Sequence, residues 1–186
     1  MAQKENQRIA LTKKLLQEGL LRLLEVKTLE KISVTELCRE SGINRATFYN
    51  HYNSPQELLN DIETRMTAEL KRIIGAPRTA QDVIIHTEAV CEFFHTNART
   101  ILILHRCHSD RDITDALHEL NQNFQLFRLN SKYTRTLNSD SLHLITVFFY
   151  TGCYSILLEW LQYDIQMTPK EVANLMIRLA SENFLD

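Results

Sequence analysis

An all-α fold follows from three properties of the chain. Its 186 residues include only four Gly and three Pro, so breaks are few and helices should be long. Apolar residues recur at three- and four-residue intervals along most of its length, and no alternating stretch suggests a strand. Two sequences, Ser33 to Glu36 and Thr168 to Glu171, have the Ser/Thr-x-x-Glu form of a capping box at a helix start. The expected architecture is a three-helix N-terminal domain over residues 1–60 and a helical bundle over residues 61–186, about nine helices in all.

The first seven residues are polar and are expected to fray. Helix 1 should run from about Arg8 to Glu25, with Ile9, Leu16, Leu20, Leu23 and Leu24 facing a core and Lys13 and Lys14 toward one end. Leu29 and Ile32 would pack the connection. Residues 33–52 then form two short helices around a tight turn. Ser33 caps the first, whose apolar side is Val34, Leu37 and Cys38, and Gly42 stops it in a left-handed cap. Asn44 caps the second. Ile43 and Phe48 point back, leaving Arg45, Thr47, Tyr49, Asn50 and His51 outward. A helical face with one cation, several hydrogen-bonding groups and no carboxylate suits a polyanion, and the plan is that of a helix-turn-helix whose second helix enters the DNA major groove.

The segment GINRATFYNHY followed by NSPQELL resembles the signature of the tetracycline-repressor (TetR) family of transcriptional regulators. Gly42, Ile43, Thr47, Phe48, Tyr49, His51 and Glu57-Leu58-Leu59 carry the match, over about residues 8–62. Three positions depart from the family pattern. Asn44 stands for the usual Ser, Ala46 for the usual Gly, and Pro55 for the Lys that in many members opens helix 4 and contacts a phosphate. The resemblance implies an operator in double-stranded DNA, contacted by Asn44, Arg45, Ala46, Thr47, Tyr49, Asn50 and His51. It implies a homodimer built on the last two helices of each chain, and control by a small-molecule effector or a protein partner. Repression is the family expectation, although the sign depends on where the operator lies relative to a promoter. No cofactor, metal or enzymatic activity is expected.

Helix 4 should begin near Ser54-Pro55 and end at Gly75-Ala76-Pro77, with Leu58, Leu59, Ile62, Met66, Leu70 and Ile73 inward. A helix is expected over residues 79–96, then a short apolar segment, TILILHRCH, without an assigned state. Asp110 to about Leu137 reads as one long helix, Ser139 to Tyr163 as another, and Pro169 to about Phe184 as the last. The helix from Ser139 is apolar on more than one side, so one face should meet a cavity, a ligand or a second chain. Gly152 would permit close approach there, and Leu157 is the first choice for an interfacial residue. In such a family the C-terminal helices commonly hold an effector, which His86, His118, Tyr150, Tyr154 and Trp160 could line.

Other chemistry is poorly supported. Cys91 and His95, four apart, with His105, Cys107 and His108 nearby, could form a soft-metal site and make a metal-responsive regulator, but no CxxC or HExxH pattern backs it. Glu92/His95, Asp115/His118 and Asp140/His143 have the spacing of a di-iron helical-bundle enzyme, yet that site needs two Glu-x-x-His pairs. No phosphate loop or nucleophile elbow is present. The four cysteines lack a disulfide spacing, no apolar run approaches a membrane span, and the N-terminus lacks a signal-peptide core, which together point to a cytoplasmic setting. Residues 1–60 carry nine Lys/Arg against seven Asp/Glu and the remainder twelve against sixteen, a slight asymmetry with the sign of a DNA-reading domain.

Overall fold

The computed structural model describes residues 2–75, 79–107, 113 and 138–184. Among them are eight α-helices, a single 3-10 turn and no strand. The helices are α1 (Ala2–Val26), α2 (Val34–Ser41), α3 (Arg45–Tyr49), α4 (Pro55–Ile74), α5 (Ala80–Thr96), α6 (Ala98–Arg106), α7 (Ser139–Gln162) and α8 (Pro169–Phe184), with the 3-10 turn at Leu29–Lys31. The long helix expected from Asp110 to Leu137 lies outside the described residues apart from Ile113. No described helix is long and apolar enough to cross a membrane.

Two helices differ from expectation. α1 begins at Ala2 rather than Arg8. Its first residues, AQKENQ, are mostly good helix formers, and Glu5 in the first turn favours the positive end of the helix dipole. Ile9, expected in the core, is exposed. The segment TILILHRCH lies largely in α6. Asn97 joins α5 to α6 without a Gly or Pro: its Nδ2 donates to Phe93 O at 2.9 Å, and its own carbonyl accepts from Ile101 N at 3.0 Å.

The chain divides into two compact units. One comprises Met1–Arg65 with Ile103–Asp110, the other Met66–Leu102 with Arg111–Asp186. The division falls within α4 and within α6, so each unit holds part of both helices.

In the first unit α1 packs on α2 and α2 on α3. Leu16, Leu20, Leu23 and Leu24 of α1, Leu37 and Cys38 of α2, Phe48 of α3 and Leu58, Leu59 and Ile62 of α4 are buried. Burying a side chain such as Phe48 stabilises by about 1.5–3 kcal/mol. Gly19 lets α1 and α2 approach, since a Cβ there would lie 3.0 Å from Ser41 Cβ and 3.3 Å from two of its main-chain atoms. Arg22 of α1 fastens the end of α2, its Nε donating to Glu40 Oε1 at 2.6 Å and its Nη2 to the Glu40 carbonyl at 3.1 Å.

In the second unit α5 packs mainly on α8 and also on α7. Val90, Cys91, Phe93 and Phe94 of α5, Leu157, Leu158 and Trp160 of α7, and Val172, Ala173 and Met176 of α8 are buried. Thr79 and Thr168 start α5 and α8 as reciprocal capping boxes: Asp82 N donates to Thr79 Oγ1 at 3.1 Å and Thr79 N to Asp82 Oδ2 at 2.8 Å, with the equivalent exchange between Thr168 and Glu171. Leu157 is 1% exposed and belongs to this chain's own core, not to an outer face. Among the described residues, Leu144, Val147 and Phe148 of α7 and Leu175 and Leu179 of α8 are exposed apolar positions. Among the same residues, a Cβ on Gly152 would meet nothing within 4 Å.

Candidate nucleic-acid interface

The two short helices of the first unit are set by their caps. Ser33, with extended backbone, accepts from Glu36 N at 3.2 Å and starts α2. The reciprocal half of the expected box is replaced: the Glu36 carboxylate pairs with Lys27, whose hydrogen bond holds it below the usual carboxylate range. At the other end Gly42 has φ +68, which a side chain would strain. Gly42 N donates to Arg39 O at 3.4 Å and Ile43 N to Cys38 O at 3.0 Å, a Schellman closure that turns the chain sharply. Asn44 then caps α3, its Oδ1 accepting from Thr47 N at 2.7 Å. Asn44 is thus a structural cap with an exposed position as well as a candidate contact.

Phe48 is fully buried and anchors α3 from below. Its ring meets Tyr49 edge-on at 5.5 Å and Tyr52 at 6.2 Å. Arg45, Ala46, Tyr49 and Asn50 are exposed, and Tyr49 is 49% exposed despite its size. Thr47 and His51 are half-buried, closer to the protein than the outward placement expected of them. No Asp or Glu occurs between Asn44 and Asn53, so this face offers a cation, an amide and a phenol without a repelling carboxylate. Main-chain bonds continue past α3, from Asn50 N to Ala46 O at 3.2 Å and from Tyr52 N to Phe48 O at 3.0 Å.

Pro55 occupies the first position of α4, where its missing N–H costs nothing. Glu57 N donates to Ser54 Oγ at 3.2 Å. The Glu57 carboxylate accepts from Asn53 N at 2.7 Å and Asn53 Nδ2 at 2.8 Å, and these bonds lower its pKa. The turn between α3 and α4 is therefore held by its own side chains.

One cluster in this unit is not evident from the motif. Tyr52 is 3% exposed, and its hydroxyl donates to Asp61 Oδ2 of α4 at 2.6 Å. Arg65 Nη2 reaches the same oxygen at 3.0 Å. Lys13 of α1 places its ammonium 5.2 Å from the centre of the Tyr52 ring. Burial first, and then the bond to Asp61, push the Tyr52 phenol well above its ordinary range, so it stays protonated and donates. A tyrosine ending the motif and an acid nine residues on were the only traces of this cluster in the sequence.

Three of the residues expected to line an effector site have partners within the fold. His86 Nδ1 bonds the Ile74 carbonyl, and its ring lies against Gly75, where φ is +51. Trp160 Nε1 donates to Met167 O at 3.1 Å, and its indole stacks on His95 with centroids 5.4 Å apart. Tyr154 is half-buried and meets Phe94 edge-on at 6.4 Å. His118 and the side chain of Tyr150 lie outside the described residues.

The metal alternatives gain no support. Among the described residues no group of three or more His, Cys, Asp and Glu could hold a metal ion, and His108 lies outside them. Cys91 is fully buried with its thiol 4.0 Å from the Met176 sulfur, whereas His95 is exposed against Trp160. His105 and Cys107 fall in the other unit. Glu92, His95, Asp140 and His143 are all exposed, the reverse of the inward carboxylates a di-iron site requires, and Asp115 and His118 are not described.

Residues 81–182, more than half of the chain, match the family described as the transcriptional regulator C-terminal region of TetR type. An uncharacterized HTH-type transcriptional regulator of Bacillus subtilis, YxbF, is 38% identical over 66 residues, which is 35% of this chain but only 17% of that protein. A TetR transcriptional regulator from Streptococcus agalactiae superposes with a TM-score of 0.69 at 19% identity, covering 96% of this chain and 98% of that one. The dihydroxyacetone kinase operon activator DhaS does so with a TM-score of 0.65 at 16% identity, covering 93% and 96%. At such identities the superpositions establish a shared fold.

Proposed function

This chain belongs to the TetR family of transcriptional regulators, and on that premise we propose that it reads a DNA operator as a homodimer, with α3 as its recognition helix. The observation that carries the proposal is the exposed, carboxylate-free face of α3 over the buried Phe48. Residues 1–60 would be the DNA-binding domain and residues 61–186 the sensing and dimerisation domain. Arg45 and Asn50 are assigned to base edges and Thr47, Tyr49 and His51 mainly to the phosphate backbone, with Asn44 and Ala46 also in the interface. Base contacts carry specificity, while phosphate contacts set position. The deciding experiment is selection of bound fragments from genomic DNA, followed by titration of variants on the selected site. Arg45→Ala should cost about 1–3 kcal/mol and relax preference at one or two base pairs. Tyr49→Phe should weaken all sequences alike. Unchanged affinity and selectivity in Arg45→Ala would remove α3 from the role.

The outward residues Leu144, Val147 and Phe148 of α7, with Leu175 and Leu179 of α8, support dimerisation through the last two helices. Two-fold symmetry would then pair the recognition helices on half-sites one DNA turn apart. Control by a small effector or a protein partner belongs to the same proposal, with α4 as the connection because it is shared by both units. A coupling of 1–3 kcal/mol, typical of allosteric proteins, would change operator affinity about 5- to 150-fold. The sign is left to operator position; one protein sharing the fold, DhaS, is named as an activator. A cytoplasmic location, with no reaction and no cofactor, goes with this reading.

A further inference from the structure

α3 has only five residues, too few to hold a direction by itself. Its N-terminal end is fixed by the Gly42 turn and the Asn44 cap, and its middle by Phe48. Its C-terminal end is tied to the rest of the unit by Tyr52. The Tyr52 hydroxyl meets Asp61 of α4, and its ring meets Lys13 of α1. Arg65, one turn beyond Asp61, draws on the same carboxylate oxygen and keeps it aimed at the phenol.

We infer that Tyr52 and Asp61 are a positioning pair for recognition: their hydrogen bond sets the orientation of α3, and so contributes to discrimination between operator and other DNA. The inference rests on the reading of α3 as the recognition helix. A small rotation of α3 about Phe48 would displace Arg45, Tyr49 and Asn50 together. Hydrogen bonds to base edges weaken steeply with angle, whereas the charge attraction to phosphates that supplies non-specific binding has no such directional demand and tolerates the shift. Losing the pair should therefore lower specific binding more than non-specific binding.

The substitutions separate the bond from the packing. Tyr52→Phe keeps the ring on Phe48 and beneath Lys13, and leaves Asp61 still paired with Arg65, so no charge is stranded. Asp61→Ala removes the acceptor, while Asp61→Asn keeps an acceptor oxygen without the charge. Each variant would be titrated against the site selected by the wild-type protein and against a scrambled duplex of equal length, at one salt concentration, alongside a thermal melt. The ratio of the two affinities should fall roughly tenfold in Tyr52→Phe and in Asp61→Ala, the scale of one hydrogen bond to a charged group. The double variant should lose no more than the larger single loss, because both remove one interaction. Asp61→Asn should keep most of the ratio. A lowered melting temperature with an unchanged ratio would make the pair merely structural and overturn the inference, as would Asp61→Asn behaving like Asp61→Ala. A wild-type protein without sequence preference would instead overturn the reading beneath it, and the inference with it.

Discussion

Gly19→Ala sets two effects of opposite sign against each other, and the structure decides between them. Alanine in the middle of α1 gains about 1 kcal/mol of helix propensity over glycine. The new methyl, however, would lie 3.0 Å from Ser41 Cβ, 3.3 Å from Ser41 Cα and 3.3 Å from Ser41 N. Carbon atoms pack best at about 3.5–4.0 Å, so the two contacts to carbon are short by a few tenths of an ångström, and the one to nitrogen is tight as well. None involves the end of a flexible side chain. Relief requires the last turn of α2 to move away from α1, against the two bonds between Arg22 and Glu40. Such overpacking costs about 1–3 kcal/mol, so the net change should be a destabilisation of about 1 kcal/mol. Urea unfolding followed by circular dichroism would show it as a lower midpoint at unchanged slope. Gly152 provides the contrast, since a Cβ there meets nothing within 4 Å among the described residues, and the same substitution should raise stability by up to about 1 kcal/mol. Gly19→Ala as stable as the wild type, or more so, would refute the close approach of α1 and α2 at Ser41.

Other expectations can be checked separately. Phe148, 69% exposed, and Leu144, 68% exposed, are the sites at which Asp should yield folded monomers by sedimentation, whereas Leu157→Ala should cost about 2–5 kcal/mol of stability because it opens the core. A folded Phe148→Asp/Leu144→Asp protein that sediments as a dimer would exclude this face. Pro55→Lys should tighten operator binding and steepen its salt dependence by adding a phosphate contact at the start of α4; titrations at several salt concentrations giving the same slope and affinity would show that α4 does not approach the backbone. Burial, ahead of the neighbouring Cys153 and Glu88, pushes the Cys91 thiol from 9.0 up to about 12. The fold favours the neutral thiol, so its contribution to stability should be complete below about pH 9 and be lost as pH rises toward 12; denaturant midpoints of wild type and Cys91→Ala that fall in parallel across that range would refute it.

Much of the helix-turn-helix was legible because its information is local. Ser33, Gly42 and Asn44 act on the main chain within a few residues of themselves, and their caps occur where the spacing placed them. The Thr168 box and Pro169 likewise start α8. Local cues failed where no residue punctuates the chain. α6 follows α5 with only Asn97 between them, and α1 extends to Ala2 because nothing before Arg8 stops a helix. The replacement of the Ser33 box by the Glu36–Lys27 pair shows a second limit, since Lys27 is not part of the motif that identifies a cap.

The spacing of apolar and capping residues by itself determined an all-α chain, the bounds of most helices, and the exposed α3 face built on Phe48. These depend on main-chain hydrogen bonds and on the period of a single helix. Only the tertiary structure decided which apolar face each helix spends on its own core. α7 is apolar almost all round, so its pattern could not separate Leu157, which is buried, from Phe148, which is not. The same holds for the polar residues. Tyr52 and Asp61, or His86 and the Ile74 carbonyl, meet because separate segments fold together, and no periodicity along one helix encodes a meeting between two.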